Sequence, residues 1–91
     1  MSQERREVHY RGRVQGVGFR YTAREIAEVF DVRGYVQNLP DGRVRLVVEG
    51  EAAELDAFLE AVQQQMRGYI ADCETTVQPV RGEFTSFEVR R

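Results

Sequence analysis

The sequence predicts an α+β sandwich of βαββαβ order, an antiparallel sheet with two helices on one face. Three observations carry this. Segments with apolar residues at every second position alternate with segments whose apolar residues recur every three or four. Turn residues punctuate the boundaries, above all Pro40, Asp41 and Gly42. And 91 residues leave room for one core only, so the elements share it as a single domain over residues 1–91.

The first element is the strand VHYRGRV, residues 8–14, in which Val8, Tyr10, Gly12 and Val14 alternate with His9, Arg11 and Arg13. Residues 1–5 are expected to fray. After the loop QGVG, Phe19, Thr22, Ala23, Ile26, Ala27 and Phe30 line one face of a helix that ends near Phe30 or Asp31, with Gly34 just beyond. In RGYVQNLPDGRVRLVVEG, residues 33–50, two runs of strand formers flank an Asp-Gly hairpin turn. The stretch EAAELDAFLEAVQQQM is the clearest helix. Leu55, Phe58, Leu59, Val62 and Met66 form its stripe, its first turn is acidic as the helix dipole prefers, and Gly68 marks its end. A strand from Tyr69 to Val80 and a final strand FTSFEVR, residues 84–90, share the last β position, split by Pro79 and Gly82. Two helices on one face of such a sheet is the ferredoxin-like, split βαβ arrangement.

Composition narrows the function classes. A net charge of −2 and a pI near 5.4 argue against a nucleic-acid partner. No apolar run approaches the roughly 18 residues of a membrane span. The opening MSQERREVHY lacks the apolar core of a signal peptide. Cys73 is the single cysteine, so no intrachain disulfide forms, and a reducing, cytoplasmic setting is the expectation. All 13 basic residues are arginine, so no lysine serves as nucleophile or phosphate ligand.

The loop carries the chemistry. In VQGVGFRY, residues 14–21, Gly16 and Gly18 allow backbone conformations closed to other residues, and Arg20 falls in the first turn of the helix. A helix start already carries partial positive charge, so an arginine there is misplaced unless an anion arrives. Strand, glycine loop and helix N-terminus in this order build an anion site from free N–H groups, to which arginine adds a planar fork of donors suited to phosphate. Two glycines alone would read as a plain tight connection. The loop is neither a Walker loop nor a dinucleotide fingerprint, and the position of Arg20 is what favours phosphate. Gln15, Gly16, Val17, Gly18, Phe19 and Arg20 are the candidate phosphate-binding residues. Asn38, before Leu-Pro-Asp-Gly, reads on its own as a turn residue. His9 reads as a surface histidine without metal-binding partners, Cys73 as structural, and Tyr10, Tyr21, Tyr35 and Tyr69 as packing residues with wet hydroxyls.

GRVQGVGFR, residues 12–20, resembles the signature of the acylphosphatase family almost letter for letter, and GYVQNLPDGRV, residues 34–44, resembles its second motif. The resemblance covers residues 6 to 91. It implies the ferredoxin-like fold and metal-free hydrolysis of small acyl phosphates to carboxylate and inorganic phosphate, with no cofactor and no phosphoenzyme. Residue by residue, it implies that Arg20 and the loop amides bind the phosphoryl group and that Asn38 positions the attacking water. QQQMRGYIADCETT departs from the Gly/Pro-rich turn common in bacterial members, which leaves the path after helix two open. Acetyl phosphate, carbamoyl phosphate and 1,3-bisphosphoglycerate share one phosphoryl end. No residue is seen to read the acyl end, so a permissive acyl pocket in a monomer is expected. Two rivals compete. A non-catalytic anion-binding module would keep the loop, as in hydrogenase maturation proteins, whose further domains this chain is too short to hold. An RNA-binding domain of the same order needs aromatics on its third strand, where RVRLVVEG has none.

Overall fold

The computed structural model describes residues 2–91. Its elements run β1 Gln3–Gly12, α1 Phe19–Ala27, β2 Val32–Asn38, β3 Val44–Glu51, α2 Ala52–Gln65, β4 Ile70–Gln78 and β5 Phe87–Arg90. The five strands form one sheet in the order β4-β1-β3-β2-β5. The expected alternation places Val8 and Tyr10, Val36, and Val44, Leu46 and Val48 on the face that the helices cover. Phe19, Ala23 and Ala27 of α1 meet them, as do Leu55, Phe58 and Val62 of α2. Phe58 is the hinge of this core, its ring 6.2 Å from Phe30 and 5.4 Å from Phe87. Full burial of one such side chain contributes about 1.5–3 kcal/mol.

Four expectations need correction. The sheet is mixed: β5 lies parallel to β2, Gly34 opposite Phe87, while every other pairing is antiparallel. Topology requires this, since β4 and β5 occupy opposite edges and the chain must cross the sheet before it can pair again.

That crossing also shortens the last strand. Residues 79–86 traverse the outer face, and Phe84 stacks edge-on against Tyr35 with centroids 5.8 Å apart, so only Phe87–Arg90 pair. Glu49 anchors the crossing. Its carboxylate accepts the N–H groups of Arg81 and Gly82 at 2.9 and 3.1 Å and the Arg5 guanidinium at 3.0 Å.

Residues 3–5 are not frayed. Gln3, Glu4 and Arg5 pair with Glu51, Gly50 and Glu49, and Arg5 is 5% exposed beneath the crossing segment, 5.2 Å from the Phe84 ring. Met1 lies outside the described residues. The reason is the buried ion pair: Arg5 and Glu49 fill a position on the outer face that hydrophobic periodicity does not detect. Burial works against the Glu49 charge, but the Arg81 N–H, Arg5 and the Gly82 N–H together outweigh it and hold its pKa below the ordinary value.

Finally, α1 stops at Ala27. Val29 and Phe30 continue with tighter bonds to Ile26 and Ala27, which still aim Phe30 at the core and so extend the apolar period beyond the helix. The path after α2 is direct, for the Tyr69 and Ile70 N–H groups both bond to Met66 O and turn the chain into β4.

Tyr10 is buried, and burial pushes its hydroxyl pKa up. Tyr35 is buried on the outer face, while Tyr21 and Tyr69 are exposed. His9 faces the outer side with Glu7 3.5 Å away, and Cys73 is exposed on β4. Among the described residues no helix is long and apolar enough to cross a membrane, and no three His, Cys, Asp or Glu side chains converge as metal ligands.

Candidate active site

The loop between β1 and α1 is pinned at both ends. Val14 is fully buried, and the Phe19 ring is buried 4.9 Å from that of Tyr10. Between these anchors the backbone turns through Gly16 and Gly18, with φ of 78° and 79°. A side chain at either position would meet nothing within 4 Å, so glycine is needed there for conformation rather than for space. Gly18 is also the N-cap of α1 and offers no side-chain acceptor. The first bond closing the helix is Thr22 N–H to Gly18 O at 3.0 Å. Among the described residues, no backbone N–H from Gln15 through Tyr21 donates to a carbonyl or side chain. Such a run of free donors, curled by left-handed glycines, is a nest that attracts negative charge.

The nest surrounds a cavity of about 100 Å³ lined by Val14, Gly16, Gly18 and Phe19 of the loop, by Arg20 and Tyr21, and by Asn38. A wider cavity of about 490 Å³ shares Arg20, Tyr21 and Asn38 and adds Arg24, Val89 and Arg91. Neither lining includes an acidic side chain or a histidine.

The structure thus brings Arg20 and Asn38 together at the border of the two cavities. Asn38 ends β2 opposite Val44, so it belongs to the strand and not to the turn that follows. Its side chain falls on the helix side of the sheet, in phase with Val36, and no hydrogen bond occupies its amide among the described residues. Arg20 lies in the first turn of α1, which holds no acidic residue, and no carboxylate comes within 4 Å of it among the described residues. Its Nη1 donates to Arg90 O at 2.9 Å, which fixes the guanidinium and leaves other donors of the fork free.

The remaining loop candidates have their side chains engaged elsewhere. Val17 and Phe19 pack their side chains into the core; Phe19 lines the inner cavity, whereas Gln15 and Val17 are not among its lining residues. Gln15 departs from expectation: its Nε2 donates to Leu39 O at 2.8 Å and Arg43 O at 3.0 Å. That side chain stitches the loop to the hairpin turn directly after Asn38. The turn is itself braced by Asp41, which accepts the Arg43 N–H at 3.1 Å and Arg43 Nε at 2.8 Å. The Arg43 N–H and the Arg43 guanidinium outweigh desolvation and hold the Asp41 carboxyl below its ordinary pKa.

Sequence reading missed Arg24, Val89 and Arg91. Arg24 had a signal, since it lies four residues after Arg20 and hence on the same face of α1. Val89 and Arg91 had none, because only the pairing of β5 with β2 brings them to the site.

Comparison with known proteins gives the family and the fold. A family model described as Acylphosphatase matches residues 6–89. An acylphosphatase of Archaeoglobus fulgidus is 53% identical over 57 residues, 63% of this chain and 64% of that one, so the matched stretch spans just under two thirds of that relative. One from Rubrobacter xylanophilus is 42% identical over 88 residues, 96% of this chain and 80% of that protein. Among solved structures, the acylphosphatase from Bacillus subtilis superposes with a TM-score of 0.86 at 30% identity, covering 97% of this chain and 99% of that one.

Proposed function

The chain belongs to the acylphosphatase family, and from that premise we propose how it hydrolyses small acyl phosphates to a carboxylate and inorganic phosphate. The phosphoryl group enters the 100 Å³ cavity. The N–H groups from Gln15 to Arg20 and the Arg20 fork neutralise its oxygens, the charge-balancing role that dominates phosphoryl transfer. Asn38 holds a water in line through its side-chain amide. The water oxygen bonds to phosphorus as the bond from phosphorus to the acyl oxygen breaks, and that electron pair leaves with the carboxylate. A carboxylate departs without a proton, so no general acid is required. One water proton stays on the new P–OH, and the other passes to a phosphoryl oxygen of the substrate itself. In this reading the reaction uses no metal and no protein base. We take the enzyme to act as a cytoplasmic monomer.

The observation that carries the proposal is the run of unpartnered N–H groups around a cavity bordered by both Arg20 and Asn38. The test is hydrolysis of benzoyl phosphate, followed by ultraviolet absorbance, with chelator present. Turnover should resist chelation, vanish in Arg20→Gln, and be lost in Asn38→Ala while inorganic phosphate still binds that variant. Wild-type protein that binds phosphate without turnover would instead be an anion-binding module. Normal turnover by Asn38→Ala would remove the water-positioning role.

A further inference from the structure

The sequence suggests a permissive acyl pocket, but the cavity that adjoins the proposed phosphoryl site has arginine at three of its six lining positions. The loop closes the inner cavity on one side, so an acyl group bound through its phosphate must extend into the 490 Å³ cavity. Of the six residues lining that cavity, three are arginines, Arg20, Arg24 and Arg91, and none has an acidic side chain; the chain's terminal carboxylate, on Arg91, offsets part of that charge and leaves Arg20 and Arg24 as its uncompensated cations. This is local enrichment in a chain whose net charge is −2.

Arg24 lies one helical turn beyond Arg20, on the same face. Two like charges at that spacing disfavour the helix unless an anion lies between or beside them. Arg24 is held over the Tyr21 ring, 5.4 Å from its centroid, and among the described residues neither Arg24 nor Arg91 has a carboxylate within 4 Å. Glu28, the residue that caps α1, lines a neighbouring cavity together with Arg24 itself, Ala27 and Ser86, yet among the described residues it forms no ion pair with Arg24 within 4 Å. The arginines of this face therefore have uncommitted donors where the far end of the substrate must sit.

We propose that the outer cavity is an acyl subsite selecting acyl phosphates that carry a second anionic group, with Arg24 as the specificity-determining residue and Arg91 assisting. The inference rests on the reading that the inner cavity takes the phosphoryl group. Arg24 is solvent-exposed, so the effect is of the order of a surface ion pair reinforced by a hydrogen bond: about a tenfold preference, screened by salt.

The test compares para-carboxybenzoyl phosphate with para-carbamoylbenzoyl phosphate, which matches it in size without the charge, and with benzoyl phosphate. The wild type should favour the carboxylate over the carbamoyl compound about tenfold in kcat/KM, mainly through KM, and the ratio should shrink toward one at high salt. Arg24→Gln should bring the ratio close to one at low salt, and Arg24→Glu should invert it. Arg81→Gln, which removes an equal charge at the opposite end of the sheet, should leave the ratio as in the wild type. A wild-type ratio near one, or a ratio unmoved in Arg24→Glu, with benzoyl phosphate still hydrolysed, overturns the subsite. A ratio that Arg81→Gln alters as much as Arg24→Gln also overturns it, because the preference is then one of net charge. No hydrolysis of any of the three overturns the underlying function and the subsite with it.

Discussion

Gly18→Ala isolates the backbone of the phosphate loop. At φ 79° and ψ 17°, Gly18 sits in the left-handed region, and an added Cβ would touch no atom within 4 Å. The substitution therefore introduces no clash, and its cost is the conformational penalty alone, about 1–2 kcal/mol for an L-residue there. The chain can meet that cost in two ways. If the loop holds its shape, the loss appears in stability, and each kcal/mol lowers the Tm of a domain this size by roughly 4–8 °C. If the loop relaxes, the Phe19 and Arg20 N–H groups turn from the cavity, and phosphate binding weakens by roughly 5- to 30-fold for the same free energy. Thermal melts and competitive inhibition of benzoyl phosphate hydrolysis by inorganic phosphate measure the two shares, which should together reach about 1–2 kcal/mol. Gly18→Asn should recover part of the loss, because asparagine tolerates this conformation better than alanine. An alanine variant unchanged in both Tm and phosphate inhibition would refute the claim that the left-handed loop is what binds.

Further outcomes are expected. Arg20→Lys should lose on the order of 10²–10³ in kcat, since a point charge cannot reproduce the guanidinium fork; benzoyl phosphate kinetics check it. Gln15→Ala removes the two bonds that tie the loop to the turn after Asn38, so it should cost about 1–2 kcal/mol in denaturant melts and lower kcat more than it raises KM. Glu49 has a depressed pKa in the fold, so its contribution to stability is fully present above the ordinary carboxylate pKa and is lost as pH falls through the folded value. Melting temperatures between neutral and acid pH should therefore fall less steeply in Glu49→Gln than in the wild type. Arg5→Ala strands the Glu49 carboxylate beneath the crossing segment and should cost roughly 3–5 kcal/mol at neutral pH, read by denaturant unfolding.

Much of the fold and part of the site were legible in local pattern. The α2 stripe from Leu55 to Met66 and the alternation of Val8 and Tyr10 reappear as the core, because side-chain direction repeats with the period of each element. The loop was legible for a different reason. Glycines beside a helix start, followed by an arginine, leave donors and charge that no local residue can satisfy. Asn38 entered as a candidate only through a motif shared with a family. Its own neighbours, Leu39 and Pro40, point to a turn, whereas the structure keeps it in β2.

Other features were hidden because their partners are remote. Arg5 and Glu49 look like ordinary surface charges until the segment 79–86 covers them. Likewise, FTSFEVR alternates well enough to suggest seven residues of strand, yet Phe84 is needed against Tyr35 on the outer face, and only four residues pair.

The sequence by itself determined the element order, the helix-facing core and the charge imbalance at the loop, since periodicity, turn chemistry and capping act over a few residues. Tertiary structure alone decided that Asn38 stands across from Arg20, that Arg90 steadies the Arg20 guanidinium from 70 residues away, and that Arg24 and Arg91 share one cavity. Those contacts depend on which strands become neighbours. Strand order is set by the burial of the whole sheet, a global free energy that no local stretch of the chain contains.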